Sequence, residues 1–314
     1  MPNYNITGNT VNLPNFMGQV YSSTPGDTPF LNLIAGNAVK TNNYEFSTGI
    51  EYSIDAPAQP AISEQASQTA PGIITYGRSQ TSNVTQIFHE RINVNYAKLS
   101  SGGRISGVTS TSGNDPVIDE MEFQTARALE KIARDIEYTF INGVYQKASS
   151  VTTANKTRGI LAAAGTTVSA DDEPLTEEVL RGAFKATYDA GATFTDMVLI
   201  CGAAIKQQIT SIYDKQWGFS APPSRNLGGT NIMQIETDFG MISVMLSRFA
   251  PAGTMIGADV SCIRPVEQDV PGKGNFFREQ LAKTGAAEDY QIFGQIGLDH
   301  GPGWKHFKIT DISI

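Results

Sequence analysis

The sequence predicts an α+β fold, an arrangement of one long helix, several strands and a small helix-and-strand lobe in a chain of 314 residues. Three patterns predict it. Residues 114–148 carry apolar side chains at three- and four-residue steps, the period of a helix with one buried face. Residues 44–54 and 292–312 alternate apolar with polar positions, the period of strands covered on one side. Between 176 and 212, short helical and strand patterns follow one another closely.

Taken in order, residues 1–40 are polar and rich in Asn, Pro and Gly, with one apolar knot at Phe30, Leu31, Leu33 and Ile34. A segment of this composition builds no core of its own and has to lean on another surface. Tyr44, Phe46, Ile50, Tyr52 and Ile54 mark a strand. The stretch "DAPAQPAISEQASQTAPG" then holds three prolines and reads as a loop tip, with extended structure expected again from Ile73 to Tyr76. Together these make a long hairpin. Polar excursions beyond about 12–15 residues are uncommon in a domain unless they serve a function, so this one is expected to work outside its own subunit. Apolar patterning returns at Ile87, Phe88, Ile92, Val94 and Tyr96 and is broken by Gly102, Gly103 and Gly107.

The helix has a clear start: Asp115 suits the N-cap and Pro116 the first helical position, where a missing N–H costs nothing. Its stripe runs through Ile118, Met121, Thr125, Leu129, Ile132, Ile136, Phe140 and Val144. A span of 116–148 would be about 50 Å long at ~1.5 Å per residue. Asp119, Glu120 and Glu122 lie near the positive end of its dipole and Lys147 near the negative end. Glu130 with Arg134, and Lys131 with Asp135, are expected to pair along an exposed face.

Beyond the helix, Thr176 caps "EEVLRGAFKATYDA", which Gly191 ends; "MVLICG" is a short buried strand and "AAIKQQITSIYD" a further helix. "FSAPPSRNLGG" reads as a loop, and "NIMQIET" and "MISVMLS" as strands paired around Asp238, Phe239 and Gly240. The tail alternates at Ile292, Gln295, Ile296 and Leu298, turns at "HGPG", and ends in a strand through Phe307, Ile309 and Ile312.

Composition narrows the function. The net charge of −8 argues against a basic surface that grips nucleic acid by its phosphates. No apolar run approaches the ~20 residues that cross a bilayer. The absence of Lys or Arg before Lys40 and of an apolar N-terminal run gives no secretory signal, so synthesis inside the cell is expected. Cys201 and Cys262 have neither metal nor redox spacing and read as buried fillers. His89, His300 and His306 are isolated in sequence, without ligand spacing, and read as surface or hydrogen-bonded side chains. "DFG" at 238–240 lacks the companion motifs of a kinase and is read as a turn. No phosphate-binding loop, dinucleotide fingerprint or nucleophile elbow is present, and a scattered site around His89, Glu90 and Asp299 has no clustering in its favour.

The phrases "PGDTPFLNLIAG", "QIFHERINVNY", "ALEKIARDIEYTFINGV", "RGIL", "GADVSCIRPVEQ" and "REQLAKTGAAEDYQIFGQIGL", in this order, resemble the major capsid proteins of tailed bacteriophages with the Hong Kong 97-type fold. They look most like the subfamily typified by the Salmonella Utah phage. The resemblance covers almost the whole chain, with "DTPF" and "LAKTG" its most specific marks. It implies an N-terminal arm (1–40), an extended loop (41–88), a peripheral domain (89–160) with a spine helix at 116–148, an axial domain (161–262) and a return to the peripheral domain (263–314).

The resemblance further implies a non-catalytic protein without cofactor or metal. Copies would self-assemble as hexamers and pentamers into an icosahedral head in the host cytoplasm and remain in the virion shell. The expected partners are a separate scaffolding protein, a portal and decoration proteins. Double-stranded DNA would be enclosed without specific binding, and no membrane is involved. On this reading Phe30, Leu31 and Ile34 of the arm and Tyr52, Ile73, Ile74 and Tyr76 of the loop are inter-subunit contacts. The type member cross-links its loop through a lysine, but residues 41–97 here contain none, so no such bond is expected. An encapsulin-like shell around cargo enzymes is the alternative, since it shares the fold.

Overall fold

Three short elements open the described chain: α1 (Met17–Ser22), α2 (Pro29–Ile34) and β1 (Val39–Thr41). The computed structural model describes residues 17–22, 26–52, 57–100, 120–217, 225–227, 230–283 and 285–314. β2 (Glu45–Tyr52) and β3 (Arg78–Val84) then form an antiparallel two-stranded ribbon. Regular pairing on its returning side starts at Arg78, opposite Tyr52, rather than at Ile73. The register shifts between Ser47 and Gly49, so β2 carries an extra residue, Thr48. Gly49 lies so close to the backbone of Gly301 and Pro302 that a Cβ there would stand 3.1 Å from the Gly301 carbonyl oxygen. Such a bulge bends and twists the strand that carries it.

β4 (Gln86–Asn95) and α3 (Tyr96–Ser100) lead towards the long helix α4 (Glu120–Asn142). Its expected start, with Asp115, Pro116, Ile118 and Asp119, lies outside the described residues, as do Gly102, Gly103 and Gly107. The stripe Met121, Thr125, Leu129, Ile132, Ile136 and Phe140 is buried as its spacing predicts. The end differs: α4 stops at Asn142, not at 148, and Val144 is exposed instead of buried. The cause is a close crossing of backbones. A Cβ on Gly143 would stand 2.5 Å from the Thr157 oxygen and 3.1 Å from the Gly159 nitrogen, and the Gly143 carbonyl accepts the Gly159 N–H at 2.8 Å. The chain leaves extended, tied by reciprocal Gln146 and Lys156 backbone bonds of 3.0 and 2.8 Å. The 23 described helical residues span about 35 Å.

The expected pairs along α4 are also replaced. Glu130 meets Arg127 at 2.7 Å, Lys131 meets Glu90 of β4, and Arg134 meets Asp27 at 2.7 Å. For Lys131 and Arg134, partners from β4 and from the arm outcompete neighbours on the same helix, whereas Glu130 keeps a partner one turn earlier on α4. Lys147 lies past the helix end and pairs with Glu45 of the ribbon at 2.6 Å.

α5 (Ile160–Ala163), β5 (Thr166–Ser169), α6 (Glu177–Asp189), β6 (Met197–Cys201), α7 (Ala203–Trp217), β7 (Arg225–Leu227), β8 (Thr230–Thr237), β9 (Gly240–Leu246) and β10 (Met255–Asp259) follow. The chain ends with β11 (Arg264–Gln268), β12 (Phe277–Gln280), β13 (Ala287–Asp299) and β14 (Phe307–Thr310). Thr176 caps α6 by accepting the Val179 N–H, and Gly191, at φ +101°, ends it as expected. β7 falls in the stretch read as a loop, where three residues pair with β8. β8 and β9 pair around Asp238–Gly240 as expected.

One sheet runs β1-β11-β13-β12, with β4 along the other edge of β13. The second runs β5-β14-β10-β6-β9-β8-β7. β14 belongs to this second sheet, between β5 and β10, so the chain's last strand does not rejoin the first. It ends at Thr310, short of Ile312, where Asp311 takes φ +57°. β6 is buried at all five positions because it separates two cores. Met197, Leu199 and Cys201 face Leu180, Phe184, Ile205 and Ile209 of α6 and α7. Val198 and Ile200 face the cluster that includes Ile132, Ile136 and Phe140 of α4. Successive strand residues point to opposite faces, so an unbroken apolar run here means cover on both sides.

Candidate assembly surfaces

The ribbon leaves the body and keeps its apolar side chains in water. Residues 57–80 are exposed throughout, and Ile73 (97%), Ile74 (66%), Tyr76 (65%) and Ile62 (70%) show large apolar area to solvent. Ile62 was not singled out by sequence, although it shares the loop tip with three prolines and shows as much area as Ile74. The backbone of Tyr52 lies in β2, but its side chain falls outside the described residues. The root of the ribbon is held firmly. The Asn83 side chain donates to the carbonyls of Leu298 (2.7 Å) and Arg158 (3.1 Å) and accepts the N–H groups of Arg158 (2.8 Å) and Val84 (2.9 Å). All four hydrogen-bonding valences of this buried amide are used.

The arm is different, and here the expectation is corrected. Phe30, Leu31 and Ile34 are completely buried in the chain's own core, with Val20 of α1, and are not available to a neighbouring copy. Burial of three such side chains contributes roughly 5–9 kcal/mol. The local reason is a carboxylate from elsewhere. Thr28 makes no side-chain cap on α2. Glu137 of α4, itself fully buried, instead accepts the Phe30 N–H at Oε1 (3.1 Å) and the Leu31 N–H at Oε2 (2.6 Å). These are two of the donors that a helix start leaves unpaired. Burial pushes the Glu137 carboxyl up to about 7, against the pull of the Leu31 and Phe30 amides and the Ser247 side chain.

Asp27, just ahead of α2, bridges Arg134 (2.7 Å) and Arg248 (3.2 Å). The Tyr21 hydroxyl of α1 donates to Glu267 of β11 at 3.0 Å; burial raises the pKa of both groups, and the nearby Glu267 charge raises the phenol further. β1 pairs in parallel with β11, and Lys40 meets Asp269 at 2.7 Å.

No catalytic grouping forms around His89, Glu90 and Asp299. His89 lies opposite Phe293 in the β4–β13 ladder and touches Gln291 at 3.1 Å, while Glu90 is held by Lys131. Asp299 is six residues further along β13, about 20 Å at strand spacing. The fold does bring His300, His306, Cys262 and Asp259 together, which the sequence does not show because it depends on the pairing of β10 with β14. His306 Nε2 donates to the His300 carbonyl (2.6 Å), and its Nδ1 accepts the Asp259 N–H (3.2 Å), so the ring is neutral and saturated. Burial pushes both histidines down to about 4. Cys262 Sγ stands 3.8 Å from His306 Nε2, but burial and the Asp259 charge push its thiol up to about 12. A thiol so far from ionising is no nucleophile at neutral pH. Cys201 is buried and likewise pushed up to about 12. Among the described residues no group of three or more His, Cys, Asp or Glu side chains is arranged to hold a metal, and no helix is long and apolar enough to cross a membrane.

Comparison with known proteins bears on these surfaces. A family model described as SU10 major capsid protein matches residues 3–313. A comparison with curated proteins returns no match. Among solved structures, the cyanophage A-1(L) capsid is similar at TM-score 0.63 and 12% identity, covering 91% of this chain and 93% of that one. The holo-SrpI encapsulin complex from Synechococcus elongatus is similar at TM-score 0.61 and 12% identity, covering 100% and 97%. The capsid of a native GTA particle gives TM-score 0.58 and 12% identity over 94% and 91%. At this identity the likeness is one of fold: the α+β architecture is that of the Hong Kong 97-type capsid proteins.

Proposed function

The chain belongs to the SU10 major capsid protein family, and from that premise we propose that it is the principal shell subunit of a tailed double-stranded DNA phage. Copies assemble as hexamers and pentamers into an icosahedral head, without catalysis. The family match over residues 3–313 carries this reading. We place the chain within that family beside the Salmonella Utah phage subfamily, on the phrases quoted above.

In the proposed shell the segment 41–88 is the loop that reaches a neighbour, and Tyr52, Ile73, Ile74 and Tyr76 are its contacts. The exposure of the last three supports this, since each large side chain that a neighbour covers stabilises the contact by roughly 1.5–3 kcal/mol. Residues 1–40 form the arm, 89–160 and 263–306 the peripheral part with α4 as spine, and 161–262 with β14 the axial part. Head-to-tail contacts of this kind close into rings of more than one size. The net charge of −8 suits a wall that DNA slides past. A separate scaffolding protein, a portal and decoration proteins complete the assembly in the host cytoplasm, and the product is the virion shell.

Negative-stain microscopy of the expressed chain tests this reading: closed shells, tubes or six-membered rings are expected, and a compact monomer under all conditions would overturn it. The encapsulin-like alternative shares the fold, and purified particles holding one cargo enzyme and no DNA would favour it. Mature particles should run as a single band on a denaturing gel, because residues 41–97 offer no lysine for a loop cross-link.

A further inference from the structure

We propose that the arm is a detachable strap, fastened to the body by two buried carboxylates, Glu137 beneath α2 and Glu267 beneath α1, and that it docks more weakly as these acids ionise. The inference concerns contacts within one chain and stands apart from the shell reading.

Both carboxylates belong to the body and both face donors of the arm. Glu137 holds the Phe30 and Leu31 amides, and Glu267 holds the Tyr21 hydroxyl. Among the described residues neither makes an ion pair. The charges packed around them are engaged elsewhere. The groups that act on Glu137 are the two arm amides and the neutral Ser247 side chain; of the cations on its own helix, Arg134 is paired with Asp27 and Lys131 with Glu90, and Arg248 after β9 is also paired with Asp27. Near Glu267, Lys40 of β1 is paired with Asp269, and Gln268 with Thr85. A docked arm therefore seals Glu137 away from water with only neutral donors against it, and Glu267 with only the partial pull of Lys40, which Asp269 shares; burial outweighs these and favours the protonated forms. An undocked arm returns them to water and to ordinary carboxylate behaviour.

The sign follows. The docked value lies above the undocked one, so docking takes up protons. Its proton-linked contribution is complete below the ordinary carboxylate range and is lost as pH rises through the docked value, about 7 for Glu137 against 4.5. At up to tenfold per pH unit, that interval corresponds to roughly 300-fold in the docking equilibrium. Glu267 acts in the same direction.

Amide hydrogen exchange on the full chain between pH 5 and 8, corrected for the intrinsic rate, tests the strap. The opening equilibrium at the Phe30 and Leu31 amides should rise on the order of 100-fold with pH, while that at Leu199 in β6 should not rise. Glu137→Gln should flatten the dependence at Phe30, and Arg248→Ala, which leaves the carboxylate in place, should retain it. A flat profile at Phe30 and Leu31 in the wild-type chain, an equal rise at Leu199, or an unchanged profile in Glu137→Gln would overturn the proposal. The wild-type comparison of the two sites decides the matter even where Glu137→Gln does not fold.

Discussion

The arm and the ribbon tip look alike in sequence and end in opposite places. Each is a polar, proline-bearing stretch with a few apolar residues: Phe30, Leu31 and Ile34 in one, Ile73, Ile74 and Tyr76 in the other. In the arm these side chains vanish into the core, and in the ribbon they stand in water. The difference is one of backbone accommodation. A short helix can be buried only if its first amides find acceptors, and Glu137 supplies two. The ribbon pairs its backbone between β2 and β3, leaves its tip in water, and is held at its root by Asn83, by Glu45 with Lys147 and by Gly49 against Pro302. Apolar content alone therefore says nothing about where a segment docks; polar provision for its backbone does.

The sharpest way to break this contrast is Phe30→Ala. It should lower the unfolding free energy of the isolated subunit by about 3–5 kcal/mol, whereas Ile73→Ala should change it by less than about 0.5 kcal/mol. Equal losses in denaturant titrations would erase the distinction. Acid separates arm from body next. His300 and His306 sit at about 4 when folded, a depressed value, so their contribution is present above the ordinary histidine range and lost as pH falls towards 4. Moving from pH 7.5 to 5 should cost the body roughly 2 kcal/mol per histidine, seen as a lower denaturant midpoint, while arm docking tightens.

Glu137→Ala is expected to cost about 1–3 kcal/mol for each buried amide left without an acceptor, less where water can reach it. Proteolysis within residues 26–40 should report it without any change at the ribbon. Smallest of all on the subunit is the joint change of Ile73, Ile74 and Tyr76 to serine, within about 0.5 kcal/mol. Its effect should appear only as lost particles by sedimentation, and normal particles would remove the ribbon from the assembly surface.

Much of the fold was legible because its causes are local. The stripe of α4, the alternation of β4, the Thr176 cap and Gly191 stop of α6, and the two-sided burial of β6 all express a period or a cap that neighbouring residues carry. What was missed depends on distant chain. The early end of α4 needs Gly159 against Gly143, although a glycine after a helix is a stop signal that could have been taken at face value. Lys131 and Arg134 look self-sufficient on a helical wheel, but Glu90 and Asp27 claim them. Arm docking rests on Glu137, which lies 107 residues from Phe30, and no spacing rule reaches so far. The exposed tip was legible for a simpler reason: it has too little apolar neighbourhood of its own to hide in.

The extra residue in β2 bears on how the ribbon transmits load. Gly49 rests on Pro302 at the point where the strand kinks, and Asn83 pins the returning strand to Leu298 and Arg158. Together they form a fulcrum and a clamp at the base of a lever whose far end carries Ile73, Ile74 and Tyr76. The base is thus fixed on both of its strands, while Ile73, Ile74 and Tyr76 beyond it stay in solvent.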